Sequence, residues 1–348
     1  MNKRILTLLA LLLSLALVLA ACGGGGTGNS QPAGESGGQQ GEKQQPAQTP
    51  QASGTKQELV LGTGSTGGTY YPLGGEMANV WNKNIESVNI TATATGASVE
   101  NLVKIGTGEL DLGMAVHKTA LEAYNGEGDF KDHKVTNFGF IGHIYPEVVQ
   151  ILVRENSGIN SIADLKGKRI AIGPGGSTTN TISKVILEAY GIKEGDYTSF
   201  SEGFGAAKDR LQDGTIDASF GILGAPASSI AELQAATKDA KLLQITGSEL
   251  AAITEKTGYT EYAIPAGTYE WIKEDIHTIS AFAILVGSMD KISDDLAYQL
   301  AKVMIEKADQ NTHAQAVSMT KENALNGSQG LPMHPGAEKY YKEIGLLP

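Results

Sequence analysis

Residues 58–72 read Glu58-Leu59-Val60-Leu61-Gly62-Thr63-Gly64-Ser65-Thr66-Gly67-Gly68-Thr69-Tyr70-Tyr71-Pro72. A short apolar run ending at glycine predicts a buried strand. A glycine-rich loop follows, and Pro72 suits the first turn of a helix. Met77, Val80 and Trp81 share one side of a helix over residues 73–81. Outward from there, Val88 to Thr95 is rich in Val, Ile and Thr and predicts a second strand. Gly96-Ala97-Ser98 predicts a second loop, with Ser98 as N-cap of a helix through Leu102, Val103 and Ile105. Leu110 to Ala115 predicts a third strand.

The order then repeats. Lys168 to Gly173 predicts a strand, and Pro174-Gly175-Gly176-Ser177-Thr178-Thr179-Asn180 a glycine-rich loop. Ile182, Val185, Ile186 and Ala189 keep helical spacing until Gly191. A loop at 201–205, a helix through Leu211 and the strand around Ala218 to Phe220 complete the second unit. Gly64 to Asp111 spans 47 positions and Gly173 to Asp217 spans 44. Two α/β units in tandem predict two lobes with a cleft between them. Open α/β sheets bind ligands beyond the carboxyl ends of their strands, where all four loops fall. Val148 to Val153 suits a strand crossing between lobes, and Lys241 to Thr246 a return crossing. Two crossings would make a hinge. The expected division is lobe I at 58–148 plus 247–348 and lobe II at 149–246.

The first residues set the expected location. Met1-Asn2-Lys3-Arg4, an apolar run from Ile5 to Leu19 and then Ala20-Ala21-Cys22 read as a secretory signal over 1–21. The apolar run is shorter than the ~20 residues of a membrane span. Leu19-Ala20-Ala21-Cys22 resembles a bacterial lipobox, which implies cleavage before Cys22 and a lipid on its sulfur. Residues 22–57 are mostly Gly, Gln, Ser and Pro, a composition that reads as a flexible tether. The folded body is thereby expected outside the cytoplasm, on the outer face of a membrane. Cys22 is the only cysteine, so no intrachain disulfide is available.

Charge and motifs narrow the function classes. The formal charge is -11, and loss of Lys3 and Arg4 with the signal makes it -13. That balance argues against nucleic acid. Beyond Arg4 the arginines are Arg154, Arg169 and Arg210, so backbone amides are the expected partners of a ligand anion. Arg154 reads equally as a ligand contact and as a surface residue. Neither glycine-rich loop ends in Gly-Lys-Ser/Thr, and no Gly-x-Ser-x-Gly elbow is present. The six histidines, His117 and His143 among them, lack metal-ligand spacing. An enzyme, a cofactor and a metal are therefore not expected.

Gly64 to Gly74 is similar to the hallmark loop of the TAXI family, the single-receptor branch of TRAP transporter solute receptors. Thr95 to Leu102, Asp164 to Lys168, Gly214 to Ala218, Ile264 to Tyr269 and Leu331 to Tyr341 match in order. The resemblance implies a type II periplasmic-binding-protein fold: α/β, two-lobed, with a hinge and an interlobe ligand cleft. It also implies clamshell capture of a small anionic solute, a glutamate- or glutamine-like amino acid or a dicarboxylate, by a monomer that delivers it to a TRAP permease. The Pro174–Asn180 loop departs from the family's usual Ser-Gly-Thr core.

The expected ligand contacts are Thr66, Gly67, Gly68, Thr69 and Tyr70 in the first loop, then Ser98, then Ser177, Thr178 and Thr179. Exposed amides at a helix N-terminus favour a carboxylate. Each loop also has a plainer reading: a tight turn, a helix cap, a strand–helix connection. Two other functions fit the same pattern, an ABC-transporter substrate-binding lipoprotein of this fold and a surface interaction or sensory protein.

Overall fold

The computed structural model describes residues 55–348. The expected signal segment, the lipid-bearing Cys22 and nearly all of the tether lie outside the described residues. Among the described residues no helix is long and apolar enough to cross a membrane.

The first unit runs β1 (Gln57–Gly62), α1 (Tyr70–Asn84), β2 (Val88–Thr93), α2 (Ser98–Thr107), β3 (Leu112–Val116) and α3 (His117–Asn125). A long strand follows, β4 (Phe138–Val153). The second unit runs β5 (Arg169–Ala171), α4 (Thr178–Ala189), β6 (Thr198–Phe200), α5 (Phe204–Gln212), β7 (Ala218–Leu223) and α6 (Ser228–Thr237). The remainder is β8 (Lys241–Leu243), α7 (Gly247–Thr257), β9 (Thr260–Ile264), β10 (Ile276–Ser288), α8 (Asp294–Glu306) and α9 (Pro335–Glu343).

The internal repeat is visible in the sheet. β1 lies between β2 and β3, parallel to both, and β5 lies between β6 and β7 in the same way. The full order is β2-β1-β3-β10-β4-β7-β5-β6. Corresponding aspartates close each unit. Asp111 accepts the Val60 N–H at 2.7 Å, and Asp217 accepts the Arg169 N–H at 2.8 Å. Both sit just before the third strand of their unit and tie it to the first. This is the two-lobed, periplasmic-binding-protein-like α/β fold.

The crossings differ in part from expectation. β4 does join the lobes: it pairs with β10 over Phe138 to Val148 and with β7 over Val148 to Val153. The return crossing is β10, which pairs with β3 at one end and with β9 at the other. Lys241 to Thr246 forms only the short β8 on the far end of β4. Residues 247–272, read with lobe I, pack with lobe II instead. Leu250, Ile253 and Tyr259 join the core of Ile182 and Ile186, and Ile264, Tyr269 and Ile272 join that of Phe204 and Leu211. The physical reason is that β9 pairs with the lobe II half of β10, which draws α7 onto α4.

Lobe I has one continuous core, including Leu61, Leu73, Trp81, Leu102, Phe140, Ile284, Leu300 and Tyr341. Lobe II buries two smaller cores. β4 shows the two-sided burial expected of a central strand: of its sixteen residues only Pro146 is not buried.

Candidate functional site

The four loops meet as the repeat requires, at the carboxyl ends of β1, β2, β5 and β6. Asn101, fully buried on α2, fixes the first pair. Its Nδ2 donates to Thr63 O at 2.7 Å and to Met114 O at 2.8 Å. A Cβ on Gly62 would lie 2.5 Å from the Asn101 Oδ1, so glycine is needed there for the amide to reach both strands. Ala97 holds φ 77° and ψ -142°, a conformation that side-chain-bearing residues seldom adopt. Thr95 Oγ1 accepts the Ala97 N–H at 3.0 Å and steadies it. In the second unit Ser177 caps α4, accepting the Asn180 N–H at 3.2 Å and donating to Pro174 O at 2.7 Å.

These loops enclose about 530 Å3 of empty space, part of it open to solvent. The lining includes the first residues of four helices: Tyr70 of α1, Ser98 of α2, Thr178 and Thr179 of α4, and Phe204 of α5. The aromatic and apolar wall is Phe204, Phe220, Ile222 and Val116. No lysine, arginine or histidine lines it. The anion-attracting elements are therefore amides and helix dipoles alone.

One ionisable side chain enters this space. Glu147, from β4, lines the cavity and is 2 % exposed. Its Oε2 accepts from Tyr70 Oη at 2.7 Å and its Oε1 from Tyr145 Oη at 3.1 Å. Burial pushes its carboxyl up to about 8, against the downward pull of the two phenol hydrogen bonds. Burial, and next the nearby Glu147, holds both tyrosines well above the ordinary phenol range. No cation lies within 4.0 Å of Glu147 among the described residues.

The lobes touch across the cleft. Thr69 Oγ1 accepts the Gly224 N–H at 3.0 Å, and Gly224 O accepts from Gln150 Nε2 at 3.0 Å. Gln150 in turn accepts from the Tyr269 hydroxyl at 2.5 Å. Tyr269, at the end of the Ile264–Tyr269 match, thus supports the cleft through Gln150. Glu100 N donates to Gly176 O at 3.3 Å, and the Thr119 and Thr178 hydroxyls lie 2.7 Å apart.

The expected site residues divide as follows. Gly68, Thr69, Tyr70, Ser98, Ser177, Thr178 and Thr179 line the cavity. Thr66 is exposed and does not. Gly67 does not either: a Cβ there would lie 2.2 Å from the Gly205 Cα, so this glycine permits lobe-to-lobe contact. Ser98 is the first helical residue rather than the N-cap, and its Oγ accepts the Val116 N–H at 3.0 Å. Arg154 does not line the cavity; its guanidinium lies beside Gly214. His117 and His143 do not line it. Burial first, and for His117 the neighbouring Lys118, holds both near 4, so they are neutral. Glu147 escaped the sequence reading. Its only signal was a lone carboxylate in the apolar run from Phe138 to Val153.

The model of the NMT1-like family matches residues 61–345, from the first strand of the cleft to the last helix. The chain belongs to the NMT1-like family. Among solved structures this family member is similar to PhnD1 from Prochlorococcus marinus (MIT 9301) in complex with methylphosphonate. The two are 14% identical over 84% of this chain and 99% of that one, with a TM-score of 0.51. The periplasmic aliphatic sulphonate binding protein SsuA from Escherichia coli matches at 19% identity over 83% of this chain and 79% of its own, with a TM-score of 0.44. A putative L-cystine ABC transporter protein from Listeria monocytogenes matches at 16% over 80% and 99%, with a TM-score of 0.47. The NMT1-like chain therefore shares the fold of the methylphosphonate-bound PhnD1.

Proposed function

We propose that this NMT1-like protein is an extracytoplasmic receptor for a small zwitterionic solute of the amino-acid type. The observation that carries the reading is Glu147: a buried carboxylate facing the cleft with only neutral phenols as partners. Burial without a counter-charge holds this carboxyl in its protonated form, and a ligand ammonium would supply the charge that lets it ionise. The helix N-termini of α1, α2 and α4 would hold the ligand carboxylate. This division favours a glutamate- or glutamine-like amino acid over a dicarboxylate, which would bring a second negative charge toward Glu147. The proposed contacts are Gly68, Thr69, Tyr70, Ser98, Ser177, Thr178 and Thr179 with Glu147; Thr66 and Gly67 take no part.

Closure of lobe II onto lobe I would exclude water and strengthen each of these bonds. The closed form would be what a membrane transporter recognises. Delivery to an ABC-type importer is the first reading, because it needs only the family and the fold. Delivery to a TRAP permease, implied by the wording of the Gly64–Gly74 loop, is the second. A lipid on Cys22 would hold the receptor at the outer face of the membrane.

A thermal-shift series with the purified protein tests the ligand class. A ligand at 100 times its dissociation constant adds about 2.7 kcal/mol of stability. Glutamate, glutamine or another amino acid should raise the melting temperature, and succinate and the matching 2-oxoacid should not. A response to the dicarboxylates alone would overturn the zwitterion reading.

A further inference from the structure

A second cavity lies between the lobes behind the first, with about 560 Å3 of empty space including its open mouth. Thr178 lines both cavities, so its hydroxyl contact with Thr119 stands as part of the wall between them. Lobe I contributes Lys118 and Glu122 from α3 and Asp129 from the turn after it. Lobe II contributes Thr181 from α4, Lys256 from α7, and Tyr259.

The unsatisfied groups here share one chemistry. Tyr259 is 4 % exposed, and its hydroxyl has no hydrogen-bond partner among the described residues. Such a group costs free energy unless something occupies the space it faces. Among the described residues Asp129 accepts only the Thr181 hydroxyl, at 3.1 Å, and neither it nor Glu122 has a cation within 4.0 Å. Lys256 is committed to Glu188 at 2.8 Å. That leaves two carboxylates facing Lys118 alone, an excess of one negative charge. The groups that remain to receive a positive ion are all oxygens: two carboxylates, a phenol and threonine hydroxyls.

We propose that this rear cavity is a binding site for one small monovalent cation, a metal ion or a protonated amine, held by Glu122, Asp129 and the Tyr259 hydroxyl. Its walls come from both lobes, so it is complete only when they are closed, and the cation stabilises that state. The site does not depend on which solute occupies the main cleft.

The test is a set of thermal melts of the purified protein without added solute, at constant ionic strength. The chlorides of sodium, potassium, ammonium and methylammonium are compared with that of tetramethylammonium, which has no N–H to donate and whose methyl groups keep its charge away from the oxygens. The expected result is a saturable rise in melting temperature with at least one small cation. Glu122→Gln and Tyr259→Phe should each weaken it about tenfold or more, as loss of a bond to a charge does. Sodium or potassium as the active ion identifies a metal site, and ammonium or methylammonium an amine site. Identical melting in all five salts overturns the proposal. So does a cation response that both variants keep, because a water-filled cavity requires neither group. Tyr259→Phe then leaves stability unchanged or higher, which separates misfolding from loss of the site. Because no solute is present, failure here leaves the reading of the main cleft standing.

Discussion

Asp111 and Asp217 differ from Glu147 in what surrounds them. All three carboxylates belong to the sheet region, and Asp111 and Glu147 are both largely buried. Asp111 accepts a backbone N–H and pairs with Lys291 at 3.2 Å. Asp217 accepts the Arg169 backbone N–H and receives its guanidinium at 2.7 and 3.0 Å. Their charges are matched inside the protein. Glu147 is buried at least as deeply and meets only two phenols. A carboxylate with a complete partner set builds the scaffold. One buried with neutral partners, in a cavity, is set up to meet something the chain does not contain.

Removing the charge at Glu147 should therefore have the largest effect. Glu147→Gln keeps the shape and an oxygen for Tyr70 or Tyr145, yet loses the counter-charge for an ammonium. Truncating one partner of a buried charge pair costs about 2–5 kcal/mol. Amino-acid affinity measured by calorimetry should fall by about 30-fold or more, while the protein remains folded. Unchanged affinity would mean that the cleft reads its ligand through amides alone.

The same carboxyl should make stability depend on pH. Its folded value of about 8 stands above the ordinary 4.5. A raised group contributes stability that is fully present below about 4.5 and is lost as pH rises toward 8, at up to about 1.4 kcal/mol per unit. Melting temperature without ligand should fall across that window, and Glu147→Gln should flatten the fall. An ammonium would draw the group back to its ionised form. Solute binding near pH 7 should then release protons, seen as a binding enthalpy that varies with the ionisation heat of the buffer. A buffer-independent enthalpy would sink the ammonium assignment.

On the scaffold side the expected effects are smaller and fall on stability. Asp111→Ala leaves the Val60 N–H without its acceptor, at a cost of about 1–3 kcal/mol. Solute affinity should stay within about twofold of the parent, since independent sites add. Asp111→Asn, which retains an oxygen for Val60, should cost less. A large loss of affinity in either variant would dissolve the contrast with Glu147.

The legibility of the sequence followed the same line. The repeat was readable because each unit carries its own glycine-rich turn, helix and closing aspartate, Asp111 or Asp217, within 50 residues. That Gly68, Thr69 and Tyr70 face the cavity was readable because they sit at a helix start beyond a strand. The return crossing was not. Ala281 to Val286 is an ordinary apolar run, and only its pairing with β4, β3 and β9 shows that it spans both lobes. Glu147 was hidden for a related reason. It is 77 positions from Tyr70, and only the passage of β4 beneath the cleft brings them to 2.7 Å.

Ser177 provides the finest test of the distinction, because sequence and structure offer it different employment. It lines the cavity, yet its hydroxyl is already engaged at both ends, accepting from Asn180 N and donating to Pro174 O. A hydroxyl used as an N-cap is worth about 1 kcal/mol, and alanine forfeits it. Ser177→Ala should therefore lower stability by about that amount. Any loss of affinity should be small, about threefold or less, and should arise through a loosened α4 N-terminus. Thr178→Val makes the paired control, since it removes a hydroxyl engaged across the lobes with Thr119. If Ser177→Ala instead loses affinity without losing stability, the hydroxyl turns to the ligand on binding. Ser177 would then join Glu147 on the ligand side of the comparison.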